Sequence, residues 1–205
     1  MKKIFRLFKF IPVWKIEQDS KNDVHYLFAL IPVLSIRHKE RHEAFDGYNN
    51  KWTRRNHDVV ARVCRDVWCG GKVILTRNTY LGDHCAFNGC EIHGAGKVTI
   101  GSHFHSGVEL LIIAQNHNYD NGKHIPYSPE DYIYKDIEIG ECVWVGSRVT
   151  ILPGTKIGEG AIIQAGSVVH GDIPPCAIVG GNPAKVFKYR DKEHYYKLKA
   201  EKAFN

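Results

Sequence analysis

Apolar residues recur along the chain at a spacing of six from Val63 onwards. The position four residues further on is also mostly apolar or small. The first series is Val63, Cys69, Leu75, Leu81 and Phe87, then, after one extra residue, Ile100, Ser106 and Ile112, and later Ile139, Val145, Ile151, Ile157, Ile163 and Val169. A helix would give a period near 3.6 and a half-buried strand a period of two. A strict period of six instead indicates one short strand and one corner per repeat.

Fifteen such hexads lie between residues 63 and 174 when the stretch 93–99 is allowed one extra residue. Three hexads per coil predict a three-sided parallel β-solenoid of about five coils, roughly 24 Å tall at the usual interstrand spacing. Like residues stack on like residues in such a fold, so the interior is predicted to be a ladder of aliphatic side chains. We expect a corner bulge to absorb the extra residue in "HGAGKVT".

Residues 1–60 precede the hexads and contain a duplication of their own. The segment "LFKFIPVWKI" at 7–16 returns as "LFALIPVLSI" at 27–36. Pro12 and Pro32 exclude a continuous helix through each copy, and the β-branched and aromatic neighbours favour extended segments. Residues 1–58 hold twelve Lys and Arg against seven Asp and Glu, which is most of the net charge of +6. We interpret the segment as a structural cap, with contact to an anionic membrane surface or to a partner as the alternative.

Composition narrows the class of protein. The apolar fraction of 43% and charged fraction of 24% fit an ordinary globular domain, and no apolar run is long enough for a membrane-spanning helix. Six cysteines show neither C-x-x-C pairs nor zinc-site spacing, so neither a disulfide framework nor a structural metal is expected. Arg6, Lys9 and Lys15 interrupt the first apolar stretch, which argues against a signal peptide. A cytoplasmic protein with reduced thiols is predicted.

The stretch "IEIGECVWVGSRVTILPGTKIGEGAIIQAGSVVHGDIPPCAIVGGNPAKVFKYR", residues 137–190, resembles the hexapeptide-repeat acyltransferases. It is most similar to the acetyl-CoA-dependent branch that contains maltose, galactoside and polysaccharide O-acetyltransferases. The resemblance implies an all-β, left-handed parallel β-helix at 61–190 and does not extend to residues 1–60, the cap segment. The interruption of the hexads predicts an external loop at 118–138, and the residues after the solenoid predict a short C-terminal helix at 191–205 that begins at Asp191 and covers the last coil. It also implies a homotrimer in which each active site is built from two chains.

The resemblance implies a coenzyme site on the later coils. The tryptophan of "VWVGS" would flank the pantetheine arm of acetyl-CoA, and the following amides would face the thioester. Small residues in "QAGSVV" would let the arm pass, and the lysines of "GGNPAKVFK" would bind phosphates. The implied residues are Trp144, Gly146, Ser147, Ala165, Gly166, Lys185 and Lys188, with Arg190 as an additional candidate.

Two positions depart from the pattern of the family. His170 and Gly171 stand where relatives often have a threonine and a lysine, so we expect the phosphate end of the coenzyme to be bound differently from that in relatives. Asn88 lies one position out of register with the acceptor-binding asparagine of relatives. We nevertheless predict Asn88 as an acceptor contact.

The hexads stop after His117 and resume at Ile139, and the intervening loop is predicted to leave the solenoid at a corner. Relatives carry their catalytic base in an Asn-His or Thr-His pair at this place, so the resemblance implies His117 as general base and Asn116 as a second catalytic residue. We predict Tyr119 and Asp120 as acceptor contacts. Asn116 and Asp120 are equally well explained as turn residues.

The loop is also rich in tyrosine, with Tyr127, Tyr132 and Tyr134 in addition to Tyr119. Aromatic faces suit the apolar faces of sugar rings, and packing of the loop onto the solenoid is the alternative role. Three histidines, His103, His105 and His117, raise the question of a metal site. The carbonic anhydrases that share the fold of these acyltransferases have a metal site with one histidine followed five residues later by another. This chain departs from that pattern, because Gly122 stands five residues after His117, so metal catalysis is disfavoured.

These residues predict transfer of acetyl from acetyl-CoA to a hydroxyl of a sugar or polysaccharide precursor, with a small-molecule or glycan acceptor and no nucleic-acid partner. Two alternatives within enzymes are an amino-sugar N-acetyltransferase and an antibiotic acetyltransferase of the streptogramin type. The alternative from another class is a non-catalytic solenoid scaffold.

Overall fold

The structure is a computed structural model that describes residues 66–205 and the backbone of four strands nearer the N-terminus. These are β1 (Lys3–Phe8), β2 (Ile11–Gln18), β3 (Asn22–Leu27) and β4 (Ile31–Arg37), which form an antiparallel sheet in the order β1-β2-β3-β4. Strands β2 and β4 contain Pro12 and Pro32 with the later part of each copy of the duplication, so the predicted extended conformation is confirmed there. The chain divides into two compact units, Met1–His42 and Glu43–Asn205. The predicted boundary at residue 60 lies outside the described residues.

From Val67 the chain winds around a three-sided prism, and each side is a parallel sheet. Face 1 consists of β7 (Thr79–Leu81), β10 (Val98–Ile100), β15 (Ile137–Ile139), β18 (Lys156–Ile157) and β21 (Asp172–Ile173). Face 2 consists of β5 (Trp68–Cys69), β8 (Ala86–Phe87), β11 (His105–Ser106), β16 (Trp144–Val145), β19 (Ile162–Ile163) and β22 (Ala177–Gly181). Face 3 consists of β6 (Val73–Ile74), β9 (Cys90–His93), β12 (Leu110–Ile113), β17 (Thr150–Ile151) and β20 (Val168–Val169). The five strands of faces 1 and 3 confirm the predicted five coils, and face 2 has a sixth strand.

The register between coils follows the hexads. On face 1, Ile100 pairs with Leu81 below and Ile139 above, so equivalent positions of successive repeats stack directly. From residue 67 onwards, every member of the six-residue series is buried, and so is every position four residues further on except Glu91 and Asn116. Two polar members bond locally: Thr155 Oγ1 donates to the Leu152 carbonyl at 2.7 Å, and Ser167 Oγ donates to the Gln164 carbonyl at 2.6 Å, whereas the buried Ser106 Oγ has no hydrogen-bond partner within residues 66–205. The predicted aliphatic ladder is therefore confirmed.

The corners bring the backbones of successive coils close together. A Cβ atom on Gly140, between β15 and β16, would lie 2.6 Å from the backbone nitrogen of Glu159 in the next coil. No side chain fits at that distance, so glycine is required by close approach. The extra residue of "HGAGKVT" is accommodated at the corner between faces 3 and 1, where Gly94 adopts a φ of +100°.

The C-terminal segment packs along the corner between faces 1 and 2. Strand β23 (Ala184–Tyr189) pairs antiparallel with β22, and helix α1 (Lys192–Ala200) follows. Asp191 caps the helix, as predicted, because its carboxylate accepts a hydrogen bond from the His194 N–H at 3.0 Å. Lys199 forms ion pairs with Glu159 and, at 3.2 Å, with Glu141. The helix thus runs back along the solenoid rather than covering only its last coil.

Five cysteines fall within residues 66–205, and all five are free thiols, of which only Cys142 is not fully buried. In the same part of the chain, no helix combines the length and hydrophobicity that crossing a membrane requires.

Candidate active site

The interruption of the hexads is a β-hairpin outside the solenoid. It leaves after β12, at the corner between faces 3 and 1, and the chain rejoins face 1 at β15. Its strands are β13 (Gln115–His117) and β14 (Tyr132–Tyr134), and they pair antiparallel with His117 opposite Tyr132. His117 therefore stands on the first hairpin strand, whereas the hexads placed it at the end of a solenoid repeat.

Side-chain hydrogen bonds close the neck of the hairpin loop. The Asn118 N–H donates to the Asp131 carbonyl at 3.0 Å, and Asn118 Nδ2 donates to Asp131 Oδ2 at 2.8 Å. The Asn118 side-chain oxygen accepts from the Asn121 N–H at 3.0 Å. Within the loop, the buried Ser128 accepts from the Lys123 N–H at 2.6 Å. These bonds give residues 118–131 a defined conformation.

The imidazole of His117 is held by aromatic rings. It stacks on Tyr127 with ring centroids 3.8 Å apart and planes inclined by 18°. The ring of Tyr132 contacts it at 4.6 Å with an inclination of 35°. Nδ1 is buried and has no hydrogen-bond partner within residues 66–205, so Nε2 is the nitrogen that remains open to a substrate.

The other predicted residues of the loop have different environments. Asn116 is exposed, and its side-chain oxygen accepts from the His117 N–H at 2.9 Å, so it fixes the backbone at the candidate base. Tyr119 and Asp120 are both exposed, with Tyr119 at 59%. They remain predicted acceptor contacts.

Most of the predicted coenzyme residues lie at another corner, between faces 2 and 3. Gly146 and Ser147 follow β16, and Ala165 and Gly166 follow β19 directly above them. The Gly166 N–H donates to the Ser147 carbonyl at 2.9 Å, and a Cβ on Gly146 would lie 2.6 Å from the nitrogen of Ala165. Gly166 has a φ of +72° and nothing within 4 Å of where its Cβ would be. The corner thus offers bare backbone to a ligand.

Among the backbone donors at this corner that the fold leaves unused is the N–H of Ser147. The Gly146 N–H donates to the Ile163 carbonyl and the Arg148 N–H to the Val108 carbonyl, both at 2.8 Å. The Ser147 N–H between them makes no backbone hydrogen bond to any residue that the structure describes. The resemblance implies an oxyanion donor among the amides near Ser147, and this N–H is a candidate for that role.

Trp144 lies on face 2 with 54% of its surface exposed. It borders a cavity of about 370 Å³ between face 2 and α1, whose other walls include His103, His105, Arg190 and Tyr195. Burial lowers the pKa of both histidines, and the proximity of His84 lowers that of His103 further. Arg190, the additional phosphate candidate, lies with its guanidinium 5.5 Å from the centre of the Tyr195 ring.

Lys185 and Lys188 are exposed on β23, at the end of the same sheet as Trp144. Three strand spacings separate β23 from β16, which corresponds to about 14 Å. His170 and Gly171 instead lie between β20 and β21, at the corner between faces 3 and 1, and so are not grouped with the lysines. Among residues 66–205 there is no cluster of three His, Cys, Asp or Glu side chains able to hold a metal ion.

Asn88 lies at the corner between faces 2 and 3, below Ser147. Its Nδ2 donates to the Ser106 carbonyl in the next coil at 2.8 Å. The side-chain amide therefore links two coils, and its role as an acceptor contact stays a prediction. Within one chain, His117 and the bare backbone around Ser147 occupy different corners, which are the two edges of face 3.

Similar proteins were found by sequence. Residues 136–171 match the family model for the bacterial transferase hexapeptide (six repeats). YvoF of Bacillus subtilis, named as an acetyltransferase, is 37% identical over 103 residues, covering 50% of this chain and 54% of YvoF. WbbJ of Escherichia coli, named as a lipopolysaccharide biosynthesis O-acetyl transferase, is 29% identical over 136 residues, covering 62% of this chain and 66% of WbbJ. A chloramphenicol acetyltransferase of Klebsiella aerogenes is 39% identical over 109 residues, covering 46% and 52%. The chain thus spans between half and two thirds of these relatives.

Similar solved structures share the fold. A galactoside acetyltransferase in complex with coenzyme A superposes with a TM-score of 0.53 at 25% identity, covering 74% of this chain and 78% of that one. A maltose O-acetyltransferase from Clostridium difficile superposes with a TM-score of 0.57 at 24% identity, covering 72% and 81%. The predicted fold class, an all-β left-handed parallel β-helix, is confirmed, as is the resemblance to hexapeptide-repeat acetyltransferases.

Proposed function

We propose that this hexapeptide-repeat protein transfers the acetyl group of acetyl-CoA to a hydroxyl of a sugar or polysaccharide precursor. The observation that carries the proposal is the His117 imidazole, held by a structured loop on the solenoid with Nε2 open. Two relatives support it: WbbJ is named as an O-acetyl transferase of lipopolysaccharide biosynthesis, and the similar galactoside acetyltransferase binds coenzyme A.

The chemistry needs one base and one oxyanion donor. Nε2 of His117 accepts the proton of the acceptor hydroxyl while the hydroxyl oxygen attacks the thioester carbonyl. A C–O bond forms, and the Ser147 N–H stabilises the negative charge on the carbonyl oxygen. The C–S bond then breaks, and the departing thiolate takes the proton from the imidazolium. The products are an acetyl ester and the free thiol of coenzyme A.

The base and the oxyanion donor meet between two copies of the chain. His117 and Ser147 lie at the two opposite edges of face 3. In a trimer whose chains turn face 3 towards the threefold axis, the His117 edge of one chain lies against the Ser147 edge of its neighbour. The outward side chains of face 3 include Ile74, Leu111 and Val168, which are half-buried and apolar and suit such an interface. The site is therefore a trimer interface in this proposal.

The coenzyme follows from the same arrangement. The bare backbone at Ala165 and Gly166 lets the pantetheine arm pass beside Trp144. Lys185 and Lys188, about 14 Å along the sheet, supply positive charge for the phosphates. A bulky residue at the Ala165 corner would occupy the path of the arm.

The test combines acetyl-CoA with maltose, a galactoside and chloramphenicol, and measures release of the coenzyme A thiol. His117→Ala should lower kcat by about 10² to 10⁴ while leaving binding of coenzyme A by calorimetry unchanged. The control is Glu130→Ala, an exposed residue of the same loop. Near-normal turnover by His117→Ala would remove His117 from the mechanism, and absence of coenzyme A binding to the unaltered protein would favour the non-catalytic scaffold.

A second candidate acceptor is a small hydroxylated antibiotic. The 39% identity to the Klebsiella chloramphenicol acetyltransferase favours it, although that match covers only 46% of this chain. Chloramphenicol in the acceptor panel decides between the two classes. A product that is stable in mild base would show that an amine, and not a hydroxyl, is acetylated.

A further inference from the structure

We propose that Tyr127 is a positioning residue, whose ring holds the imidazole of His117 in the orientation that presents Nε2 to the acceptor. The kinetic part of this inference rests on the proposed function. The geometric part concerns only the contact between two rings and is tested separately.

Ring contact is what holds the imidazole. A catalytic histidine is usually oriented by a hydrogen bond from its second nitrogen to a carboxylate or carbonyl. In His117 that nitrogen, Nδ1, is buried and has no such partner within residues 66–205. The parallel stack with Tyr127, at 3.8 Å and 18°, therefore restricts rotation of the imidazole ring. Tyr132, its cross-strand neighbour, adds a second but more tilted contact at 4.6 Å.

The loop fixes the position of Tyr127. Its neighbour Ser128 is buried, its hydroxyl oxygen accepts a hydrogen bond from the Lys123 N–H, and its carbonyl oxygen accepts one from the Asp131 N–H at 3.2 Å. Asp131 is in turn bonded to Asn118, one residue after His117. A chain of hydrogen bonds thus runs from the base of the hairpin to the residue beside Tyr127. The stack is held from both ends.

The consequence for the reaction concerns geometry rather than proton affinity. An imidazole free to rotate would present Nε2 to the hydroxyl only part of the time, and a misplacement of about 1 Å can cost a factor of about 10² in rate. The phenol oxygen of Tyr127 has no part in this argument. Phenylalanine should therefore replace tyrosine, whereas alanine should not.

The kinetic experiment compares Tyr127→Ala, Tyr127→Phe and the control Glu130→Ala. We expect Tyr127→Ala to lower kcat about tenfold to a hundredfold with KM for acetyl-CoA within about twofold. Tyr127→Phe and Glu130→Ala should stay close to the unaltered protein. In a His117→Ala background, Tyr127→Ala should cause no further loss, because the two changes affect one step.

The second readout is the NMR signal of the His117 imidazole in protein labelled at histidine. The stacked ring of Tyr127 should shift the His117 ring protons upfield, and the shift should persist in Tyr127→Phe and disappear in Tyr127→Ala. Unchanged kcat in Tyr127→Ala, equal loss in Tyr127→Phe, or a His117 signal indifferent to all variants would each overturn the inference. If His117→Ala proves active, the proposed mechanism fails, and the NMR comparison still decides whether the ring contact exists.

Discussion

Replacing Asn118 by alanine should open the hairpin loop without destabilising the solenoid. The Asn118 side chain makes two hydrogen bonds: its Nδ2 donates to Asp131 Oδ2 at 2.8 Å, and its Oδ1 accepts from the Asn121 N–H at 3.0 Å. Alanine removes both and leaves the backbone bond from the Asn118 N–H to the Asp131 carbonyl intact. The loop projects from a corner, so the stacked coils lose no contact.

The size of the effect follows from those two bonds. Each net hydrogen bond contributes about 1 kcal/mol, so the closed loop loses about 2 kcal/mol relative to the open one. Every 1.4 kcal/mol is a factor of ten, which makes the increase in the open population about thirtyfold. The stack of Tyr127 on His117 depends on the closed loop, so kcat should fall as well.

Hydrogen exchange measured by mass spectrometry follows peptides from the loop and from the coils in the same sample. Exchange of residues 118–131 should become about thirtyfold faster in Asn118→Ala, while peptides of face 2 and the midpoint of thermal unfolding stay unchanged. Glu130→Ala is the matched control in the same loop. Unchanged exchange of the loop in Asn118→Ala, or equal acceleration in the coils, would refute the reasoning.

Three further changes test other parts of the structure. Gly140→Ala places a methyl group 2.6 Å from a backbone nitrogen of the next coil and should lower the free energy of unfolding in urea by about 1 to 3 kcal/mol or more. Gly171→Ala, at a φ of +71° with open space around the new methyl group, should lower it by only about 1 kcal/mol. Equal losses in the two variants would contradict the register of the coils. Ala165→Trp should abolish calorimetric binding of coenzyme A with the melting temperature retained, and retained binding would place the coenzyme elsewhere. Burial and the nearby His84 hold the pKa of His103 below its ordinary value of 6.5. The unfolded state therefore binds more protons than the folded state, and stability should fall as the pH drops below about 6.5. His103→Asn should weaken this pH dependence in thermal melts from about pH 7.5 to 5.5, and an unchanged dependence would contradict its assignment to His103.

The solenoid could be predicted from the sequence because its periodicity is set by burial. Each coil places the same hexad positions inside, so residues such as Ile100 and Ile139 mark the strands and their register at once. Even the polar members Thr155 and Ser167 keep their places, since their hydroxyls bond to carbonyls of their own corners. The number of coils follows directly from the count of hexads.

The hairpin and its ring contacts could not be predicted in this way. Strands β13 and β14 have three residues each and carry no periodic signal. Their pairing depends on contacts between residues distant in sequence, such as Asn118 with Asp131 and His117 with Tyr127. The tyrosines were visible in the sequence, but their contact with the candidate base was not.

The positions of the candidate site residues at two corners also required the structure. His117 and Ser147 are thirty residues apart in the sequence, and the resemblance implied a site built from two chains without placing the two residues at the edges of one face. Once the hexads are assigned to faces, both residues lie at the edges of face 3. The path of α1 along the corner between faces 1 and 2 was likewise hidden, because its contacts join residues distant in sequence, such as Lys199 with Glu141 and Glu159.

Complementation between two inactive variants tests the central claim most directly. His117→Ala lacks the base, and Ala165→Trp blocks the coenzyme path, so each protein alone should release almost no thiol from acetyl-CoA with its acceptor. Co-expressed in equal amounts, they should form mixed trimers in which about a quarter of the interfaces pair an intact His117 with an intact neighbouring Ala165, restoring about a quarter of the normal rate. A mixture as inactive as its parents would contradict a site shared between copies of this chain.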